Sequence, residues 1–191
     1  MPPSLATLPA FERDSHDVTA IVETPRGHRS KLKYDPERRL FTLHRLLPEG
    51  MVFPYDFGFI PSTHAEDGDP LDVLILVDEA QFPGCVVPAR LVGVIEAEQT
   101  EPEGEVVRND RLIAVATSSI RYRDVHELSD LPAEMMEQIE TFFGMSAEAS
   151  GKHFFPRGRK GARRAQTLLD DARRHAKRAR RRSGAGRSKA G

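Results

Sequence analysis

Short apolar and β-branched segments, separated by Gly, Pro and Asp, dominate the first two thirds of the chain. Each segment is short enough to form a single strand. They predict strands over residues 18–22, 32–34, 40–47, 72–77, 86–94 and 112–117. Many short strands between turn residues favour a barrel or a sandwich over alternating β–α–β units.

Helical patterns come late in the chain. Residues 130–132 are a typical helix start, and Met135, Ile139 and Phe142 after them share one helix face. A second helical pattern, from about residue 162, has Ala and Leu on one face and mostly Arg and Lys elsewhere. The predicted organisation is a loose segment over 1–17, a domain over 18–158, a basic helix over 159–182 and a disordered basic tail over 183–191.

The cysteine content and the lengths of the apolar segments narrow the class of protein. The chain has 191 residues and one cysteine, Cys85, which excludes a disulfide framework and a Cys-rich zinc site. The longest apolar stretches have about eight residues, whereas a membrane helix needs about 20. The first residues lack the basic and then apolar segments of a secretion signal. We therefore expect a cytoplasmic protein that does not contact a membrane.

The formal net charge of −1 hides a strong asymmetry. Residues 1–151 contain 13 Lys and Arg against 27 Asp and Glu, and residues 152–191 contain 15 against 2. The first part therefore has a balance of −14 and the second a balance of +13. Two interpretations of the basic segment stay open. Its Ala and Leu stripe could dock on the body and leave the cations in solvent, or the cations could weakly attract RNA, DNA or another polyanion.

The segment from Glu66 to Asp72 carries the strongest chemical signal. Asp67, Asp69 and Asp72 fall within six residues, with Gly and Pro between them. Carboxylates this close repel one another unless a cation neutralises them, and dense oxygen ligands suit Mg²⁺ or Ca²⁺. A solvated acidic turn is the alternative. Because Asp72 begins a predicted buried strand, where an unpaired carboxylate is unfavourable, the metal site is favoured.

Lys31 and Arg45 are predicted on neighbouring strands and could supply matching positive charge. Either residue alone is more often an ordinary surface charge. Together with a metal-binding carboxylate turn, they provide what phosphoryl transfer requires. Cations hold the phosphoryl oxygens, while a carboxylate orients or deprotonates water.

Several motifs, in order along the chain, resemble the soluble family I inorganic pyrophosphatases. Residues 23–31 (ETPRGHRSK) and 53–61 (FPYDFGFIP) are similar to two signature segments, and residues 66–72 (EDGDPLD) to the family's metal signature. The resemblance covers about residues 18–152. It implies a mainly β fold with flanking helices, of the α+β class, built on a five-stranded OB-like closed barrel. It also implies a homo-oligomer, commonly a hexamer in bacteria.

The resemblance further implies roles for single residues and Mg²⁺ as the cofactor. Asp69 matches the carboxylate that activates water between metal ions. The positions that match metal ligands are Asp67, Asp72 and, after a shift of one residue, Asp110. The positions that match substrate-binding groups are Lys31, Arg45, Arg111 and, at the rim, Glu23.

Other positions depart from the family pattern. The departures are Lys33 for a metal-linked Glu, Phe53 and Phe57 for two tyrosines, and Ser146–Ala147 for a Tyr-Lys pair. The later metal loop, residues 99–111, is lengthened by an acidic insertion over 101–105. Each lost charged contact to a phosphate costs about 1.5–3 kcal/mol. Lys33 could partly take the place of a missing Mg²⁺.

Two functional hypotheses follow. The first is Mg²⁺-dependent hydrolysis of inorganic pyrophosphate or a related phosphoanhydride, with reduced or altered activity. The second is a catalytically impaired protein of the same fold that binds an anion or a partner. The loop over 99–111 discriminates between them. Acidic side chains folded back towards Asp67 and Asp72 favour the enzyme, and acidic side chains turned to solvent favour the binding protein.

Overall fold

The computed structural model describes residues 4–66, 68–101 and 103–187. Asp67 and the last four residues of the predicted tail therefore lie outside the described residues. The elements of this part are β1 (Val18–Thr24), β2 (Ser30–Asp35), β3 (Leu40–Leu46), β4 (Asp56–Ile60), β5 (Leu71–Leu76), β6 (Val86–Thr100), β7 (Val106–Arg108), β8 (Arg111–Ala116), α1 (Ala133–Glu148), β9 (His153–Gly161) and α2 (Ala162–Arg187).

Five strands form a closed ring. Neighbours pair in the order β1–β4–β5–β8–β6, and β6 pairs back onto β1. The β5–β8 pair is parallel, and the other four pairs of the ring are antiparallel. Strands β7 and β9 extend from β6, and β2 with β3 forms a separate hairpin. The predicted mainly β fold with flanking helices and a five-stranded, OB-like barrel is confirmed.

The six predicted strand segments all contain strands, but three further strands lack a clear sequence pattern. Strand β4 is short and contains Gly58, β7 has three residues, and β9 contains Pro156 and two glycines. These three strands form because their backbones pair with neighbouring strands, and not because their own side chains alternate between apolar and polar. Strand β9 pairs with β6 from Gly93 to Thr100, which explains why β6 is longer than predicted.

Gly58 allows β1 and β4 to approach closely. It pairs with Val22, and a Cβ at this position would lie 1.8 Å from the carbonyl oxygen of Ile21. No side chain fits there without moving the backbone. The absence of a side chain at this position is therefore a condition for closing the ring.

The strands separate two apolar clusters because successive side chains point to opposite faces. One cluster, which includes Leu112 and Ala114, packs against the predicted Ala and Leu stripe of α2. The other, which includes Ile113 and Val115, packs against α1. Odd and even positions of β8 thus face different helices. Among the described helices, none is long and apolar enough to cross a bilayer.

The two ends of the described chain differ from the sequence expectations. The predicted loose segment over 1–17 is attached where it is described: Leu5 N–H donates to the hydroxyl of Tyr34 (3.2 Å), and Ala10 is buried. The basic helix begins at Ala162, not at 159, because residues 153–161 pair with β6. It continues to Arg187, five residues into the predicted tail.

Candidate functional site

The acidic turn lies between β4 and β5, at one end of the barrel. Gly68 has a φ of +89°, which favours glycine, and the Ala65 N–H donates to the carbonyl of Asp69 (2.8 Å). These contacts close the turn and bring the chain to the start of β5. Asp72 is the second residue of β5, and its side chain is 27% exposed. The strand therefore fixes Asp72 at the edge of a buried cluster.

Each described aspartate of the turn is paired with a cation of the protein. Lys33 Nζ lies 2.6 Å from Asp69 Oδ2, and Arg111 Nη1 lies 2.6 Å from Asp72 Oδ2. Burial alone would lower the pKa of Lys33, but the hydrogen bond and charge of Asp69 outweigh it and raise that pKa. Lys33 therefore stays charged beside Asp69 at neutral pH.

Arg111 is the most enclosed charged group of the site. Its side chain is 6% exposed, and its guanidinium lies 5.0–5.9 Å from the ring centres of Phe57, Phe143 and Phe154. Aromatic faces stabilise a cation at this range. Its Nη1 also donates to the side chain of Asn109. Among the described residues, its Nε–H has no hydrogen-bond partner.

Lys31 and Arg45 face each other across the β2–β3 hairpin, on neighbouring strands as predicted. The Lys31 ammonium lies 5.6 Å from the centre of the Phe57 ring. Burial lowers the pKa of Lys31, and the charge of Asp72 offsets part of that effect. Arg45 Nη2 donates to Ser146 Oγ at 2.6 Å, which ties the hairpin to α1.

The four cations create a positive field around the turn. It also reaches His44 on the hairpin, whose pKa is lowered by burial and then by the charges of Lys31, Lys33 and Arg45. Nearby positive charges lower the pKa of a histidine because they disfavour its charged form, and the same charges favour a negatively charged ligand. The site is therefore suited to an anion.

Glu23 lies on β1, close enough to Lys31 and Lys33 for their charges to act on it, and is almost fully buried. Its Oε1 accepts a hydrogen bond from the Tyr34 N–H (2.7 Å), which links the barrel to the hairpin. Burial raises its pKa to about 7 against the opposing effect of that hydrogen bond, and the charge of Asp72 raises it further. Near neutral pH, Glu23 is therefore partly protonated and adds little negative charge.

Asp110 is placed differently from the sequence expectation. Its Oδ1 accepts a hydrogen bond from Ala97 N–H (3.0 Å), and its Oδ2 accepts one from Arg108 Nε (2.7 Å). Arg111 begins β8 and faces the same side as Ile113, so its neighbour Asp110 points to the side of α2. Successive residues of a strand alternate between faces, and the one-residue shift that would turn Asp110 towards Asp72 does not occur.

The loop over 99–111 turns its acidic insertion away from the aspartates. Glu101 pairs with Lys152 and accepts a hydrogen bond from Gln99, while Glu103 and Glu105 are exposed. Gln99 Oε1 also accepts a hydrogen bond from Asn109 Nδ2 (3.2 Å). Neutral amides thus occupy the stretch of the loop nearest to Arg111.

The described residues offer a metal ion no complete set of ligands. Among the described residues, no three His, Cys, Asp or Glu side chains are arranged to hold a metal, and this includes Asp69, Asp72 and Asp110. Carboxylate oxygens of the turn are suitable ligands for Mg²⁺. The amides and lysine around the turn do not supply the further carboxylates that a centre of several ions needs.

Lys33 was expected in the site as a partial substitute for a missing Mg²⁺, but its contact with Asp69 and the aromatic surroundings of Arg111 were not predicted. For the position of Lys33 a signal existed, since residues two apart on a strand share a face and Lys31 had been assigned to the site. For Arg111, the three rings come from β4, α1 and β9. No local pattern links these elements.

Comparisons with known proteins agree with the fold and the motifs. Residues 20–177 match the family model described as inorganic pyrophosphatase. The chain is 37% identical over 154 residues to an inorganic pyrophosphatase of Halalkalibacterium halodurans, covering 81% of this chain and 91% of that one. A relative of the same name in Methanosarcina acetivorans is 32% identical, with 86% and 94% covered. The crystal structure of inorganic pyrophosphatase from Thermus thermophilus superposes with a TM-score of 0.82 at 32% identity, covering 91% and 99%.

Proposed function

The chain belongs to the inorganic pyrophosphatase family, and on that premise we propose that it hydrolyses inorganic pyrophosphate to two phosphates. One observation supports this most strongly. Two aspartates of the acidic turn meet Lys33 and Arg111 within 2.6 Å, beside the Lys31–Arg45 pair of the hairpin. Carboxylates and cations in one place can hold a phosphoanhydride and activate water.

The proposed roles follow from charge and position. Lys31, Arg45 and Arg111 bind phosphoryl oxygens, and their charge stabilises the negative charge that develops on the leaving phosphate. The carboxylate of Asp69 orients the attacking water and accepts its proton, while Lys33 holds that carboxylate in place. The water oxygen forms a bond to one phosphorus as the bridging P–O bond breaks.

We further propose that Mg²⁺ is the cofactor and that the turn, through Asp67 and Asp72, holds it. The ion would neutralise substrate charge and lower the pKa of bound water. Asp110 is left out of this set because its two oxygens accept hydrogen bonds from Ala97 and Arg108. Glu23 is also left out of the substrate contacts, because it is almost fully buried and its Oε1 accepts a hydrogen bond from the Tyr34 N–H.

The test is release of phosphate from pyrophosphate with and without Mg²⁺, for the wild type and for Asp69→Asn. We expect Mg²⁺-dependent release that falls by about 1,000-fold in the variant, which is about 4 kcal/mol in barrier height. Asp171, a half-exposed aspartate of α2 paired with Arg174, lies far from the turn along the chain, and Asp171→Asn is the matched control that should retain activity. Release that is absent, or equal in wild type and Asp69→Asn, would refute the proposal.

A second function has its own support. The acidic insertion pairs with Lys152 or faces solvent, which is the arrangement that favours a protein that binds an anion with little turnover. Diphosphate binding without phosphate release, under conditions in which a homologous pyrophosphatase is active, would favour this function over the first.

We propose that the outer end of α2 contacts polyanions weakly. The helix docks through Ala165, Leu169, Ala172 and Ala176, which are buried, whereas Lys177, Arg178 and Arg181 beyond them are exposed. Cations on a helix end attract phosphate backbones without sequence preference. Deletion of 183–191 should weaken retention on immobilised RNA or DNA at low salt and leave the thermal unfolding temperature unchanged. Retention that neither the deletion nor added salt changes would contradict this.

We also propose a cytoplasmic homo-oligomer, with a hexamer as the expected state. The chain mass is 21.4 kDa, so light scattering of the eluted protein should give six times that value. A mass equal to that of one chain across the accessible concentration range would exclude this assembly.

A further inference from the structure

The aspartates of the turn are already neutralised from within the chain. Lys33 lies 2.6 Å from Asp69, and Arg111 lies 2.6 Å from Asp72. A divalent ion that approached either carboxylate would have to displace a charged partner or share its oxygens. For the Arg111–Asp72 pair, whose side chains are 6% and 27% exposed, separation is unfavourable because each charge then lacks compensation. The Lys33–Asp69 pair is more exposed, with side chains at 44% and 52%, and separates at a lower cost. The internal cations therefore reduce the need for a metal at these two groups.

The site formed by the turn and the β2–β3 hairpin also holds more positive than negative charge. Besides the two paired cations, Lys31 and Arg45 contribute two charges, and neither has a carboxylate partner among the described residues. Arg45 donates instead to the neutral hydroxyl of Ser146, and Lys31 lies over the ring of Phe57. Asp67 can neutralise at most one of these two charges. With Glu23 partly protonated, a net positive charge remains for a ligand.

Arg111 carries a more specific indication of a ligand. It is almost fully buried, yet its Nε–H has no hydrogen-bond partner among the described residues. A buried donor without an acceptor is unfavourable because it has lost its hydrogen bonds to water and gained none in return. A phosphoryl oxygen is the acceptor that a guanidinium binds most strongly, through two of its N–H groups. The rings of Phe57, Phe143 and Phe154 hold the guanidinium in place, so that binding loses little side-chain entropy.

We propose that this site binds a diphosphate group without a divalent metal ion, with Arg111 and Lys33 supplying charge that metal ions would otherwise supply. The inference deepens the proposed function and rests on it for the choice of ligand. The ligand class is a compact phosphoanhydride or diphosphonate anion. Lys31 and Arg45 contribute further charge from the hairpin. A metal ion is then needed for turnover and not for binding.

The experiment measures binding of methylenediphosphonate, which water cannot split at the bridge, by titration calorimetry in EDTA and in Mg²⁺. We expect wild-type binding in EDTA with a dissociation constant within about tenfold of that in Mg²⁺. Arg111→Gln and Lys33→Gln should each weaken binding in EDTA by about tenfold or more, the size of one lost charge-assisted hydrogen bond. Their loss in Mg²⁺ should be smaller, since the ion replaces part of the charge.

Matched controls keep the result interpretable. Arg38→Gln and Lys160→Gln remove exposed cations outside the proposed diphosphate site, and both variants should bind like the wild type. Lys33 is about half exposed, so Lys33→Gln is expected to fold even if the change at Arg111 prevents folding, and circular dichroism identifies folded samples. Wild type that binds in Mg²⁺ but gives no binding in EDTA would overturn the inference. So would an unchanged affinity of Lys33→Gln in EDTA.

The same samples separate this inference from the proposed function. Phosphate release from pyrophosphate in Mg²⁺ reports hydrolysis, and calorimetry in EDTA reports metal-free binding. Binding in EDTA without release would support the inference and refute hydrolysis. Release in Mg²⁺ with no binding in EDTA would refute the inference and leave hydrolysis standing.

Discussion

Two clusters of charged side chains lie on opposite faces of the barrel at the start of β8, and they differ in charge balance. The cluster on the α2 side contains Glu96 and Asp110 with Arg108 and Arg164, and every charge has a partner within 2.9 Å. The cluster on the α1 side combines the two aspartates of the turn with four cations. Adjacent residues, Asp110 and Arg111, belong to different clusters.

The difference shows how a structural charge network is distinguished from a binding site. In the α2-side cluster, two carboxylates meet two guanidinium groups, and Asp110 also accepts the Ala97 N–H. Such a network is complete and needs no ligand. In the α1-side cluster, the four cations outnumber the two described aspartates, and Arg111 Nε has no hydrogen-bond partner among the described residues. An incomplete network is the one that can recognise an anion.

The largest expected effect comes from removing a carboxylate of the incomplete cluster. Asp72→Asn should lower Mg²⁺-dependent hydrolysis by about 1,000-fold, or about 4 kcal/mol. In EDTA, the same variant should bind methylenediphosphonate more tightly than the wild type, because Arg111 is no longer neutralised. Kinetics and calorimetry on one preparation measure both. A loss of metal-free binding in Asp72→Asn would mean that Asp72 mainly orients Arg111.

A pH-dependent effect of about 3 kcal/mol is expected at Glu23. Its pKa in the folded protein is about 7, against 4.5 as its ordinary value, so the folded state binds this proton more tightly than the unfolded state. The contribution of Glu23 to the free energy of unfolding is fully present below about pH 4.5 and is lost as the pH rises through about 7. Glu23→Gln does not titrate and retains an acceptor for the Tyr34 N–H. In EDTA, urea unfolding should show the variant gaining stability relative to the wild type up to pH 8, and parallel curves would contradict this.

In the complete cluster, a loss of stability is expected instead of a loss of function. Asp110→Ala leaves the Ala97 N–H and Arg108 without their acceptor and should lower the free energy of unfolding by about 2 kcal/mol. Diphosphate binding per folded molecule should stay within about twofold. Asp110→Asn retains an oxygen for the Ala97 N–H and should cost less. A clear fall in Mg²⁺ affinity in Asp110→Asn would instead restore the metal-ligand role expected from the sequence.

The smallest effect is expected at a more exposed pair that joins β6 to β9. Glu98 pairs with Arg157, whose side chain is 59% exposed, and such pairs contribute little to stability. Glu98→Gln should change the free energy of unfolding by less than about 0.5 kcal/mol. Glu96→Gln, which removes the negative charge shared by Arg108 and Arg164, should cost about 1 kcal/mol or more. Chemical denaturation of both variants at two salt concentrations tests the difference.

The sequence predicted those parts of the fold that side-chain pattern alone determines. The apolar run at residues 72–77 and the helix face of Met135, Ile139 and Phe142 correspond to β5 and α1. Strand β9 was missed because Pro156, its glycines and its cations are typical of a loop. Its hydrogen bonds come from β6, more than 50 residues earlier in the chain.

The same limit applies to the site. The spacing of the turn and the pairing of Lys31 with Arg45 could be predicted, because each depends on neighbours along the chain or on one hairpin. The contact of Arg111 with Asp72 depends on the parallel β5–β8 pair. The sequence does not state which strands are neighbours. Both Asp110 and Arg111 were therefore assigned to the site, and which of the two faces Asp72 could not be predicted from the sequence.

The position of β8 in the ring has a consequence for the order in which the protein can form. Strand β8 alone lies between β5 and β6, so the ring stays open until residue 116 has left the ribosome. Until then, the apolar edge of β5 has no neighbour on one side. Contacts this distant along the chain form slowly. The nascent chain thus carries an unpaired strand edge, and such an edge can pair with another chain until the last barrel strand is available.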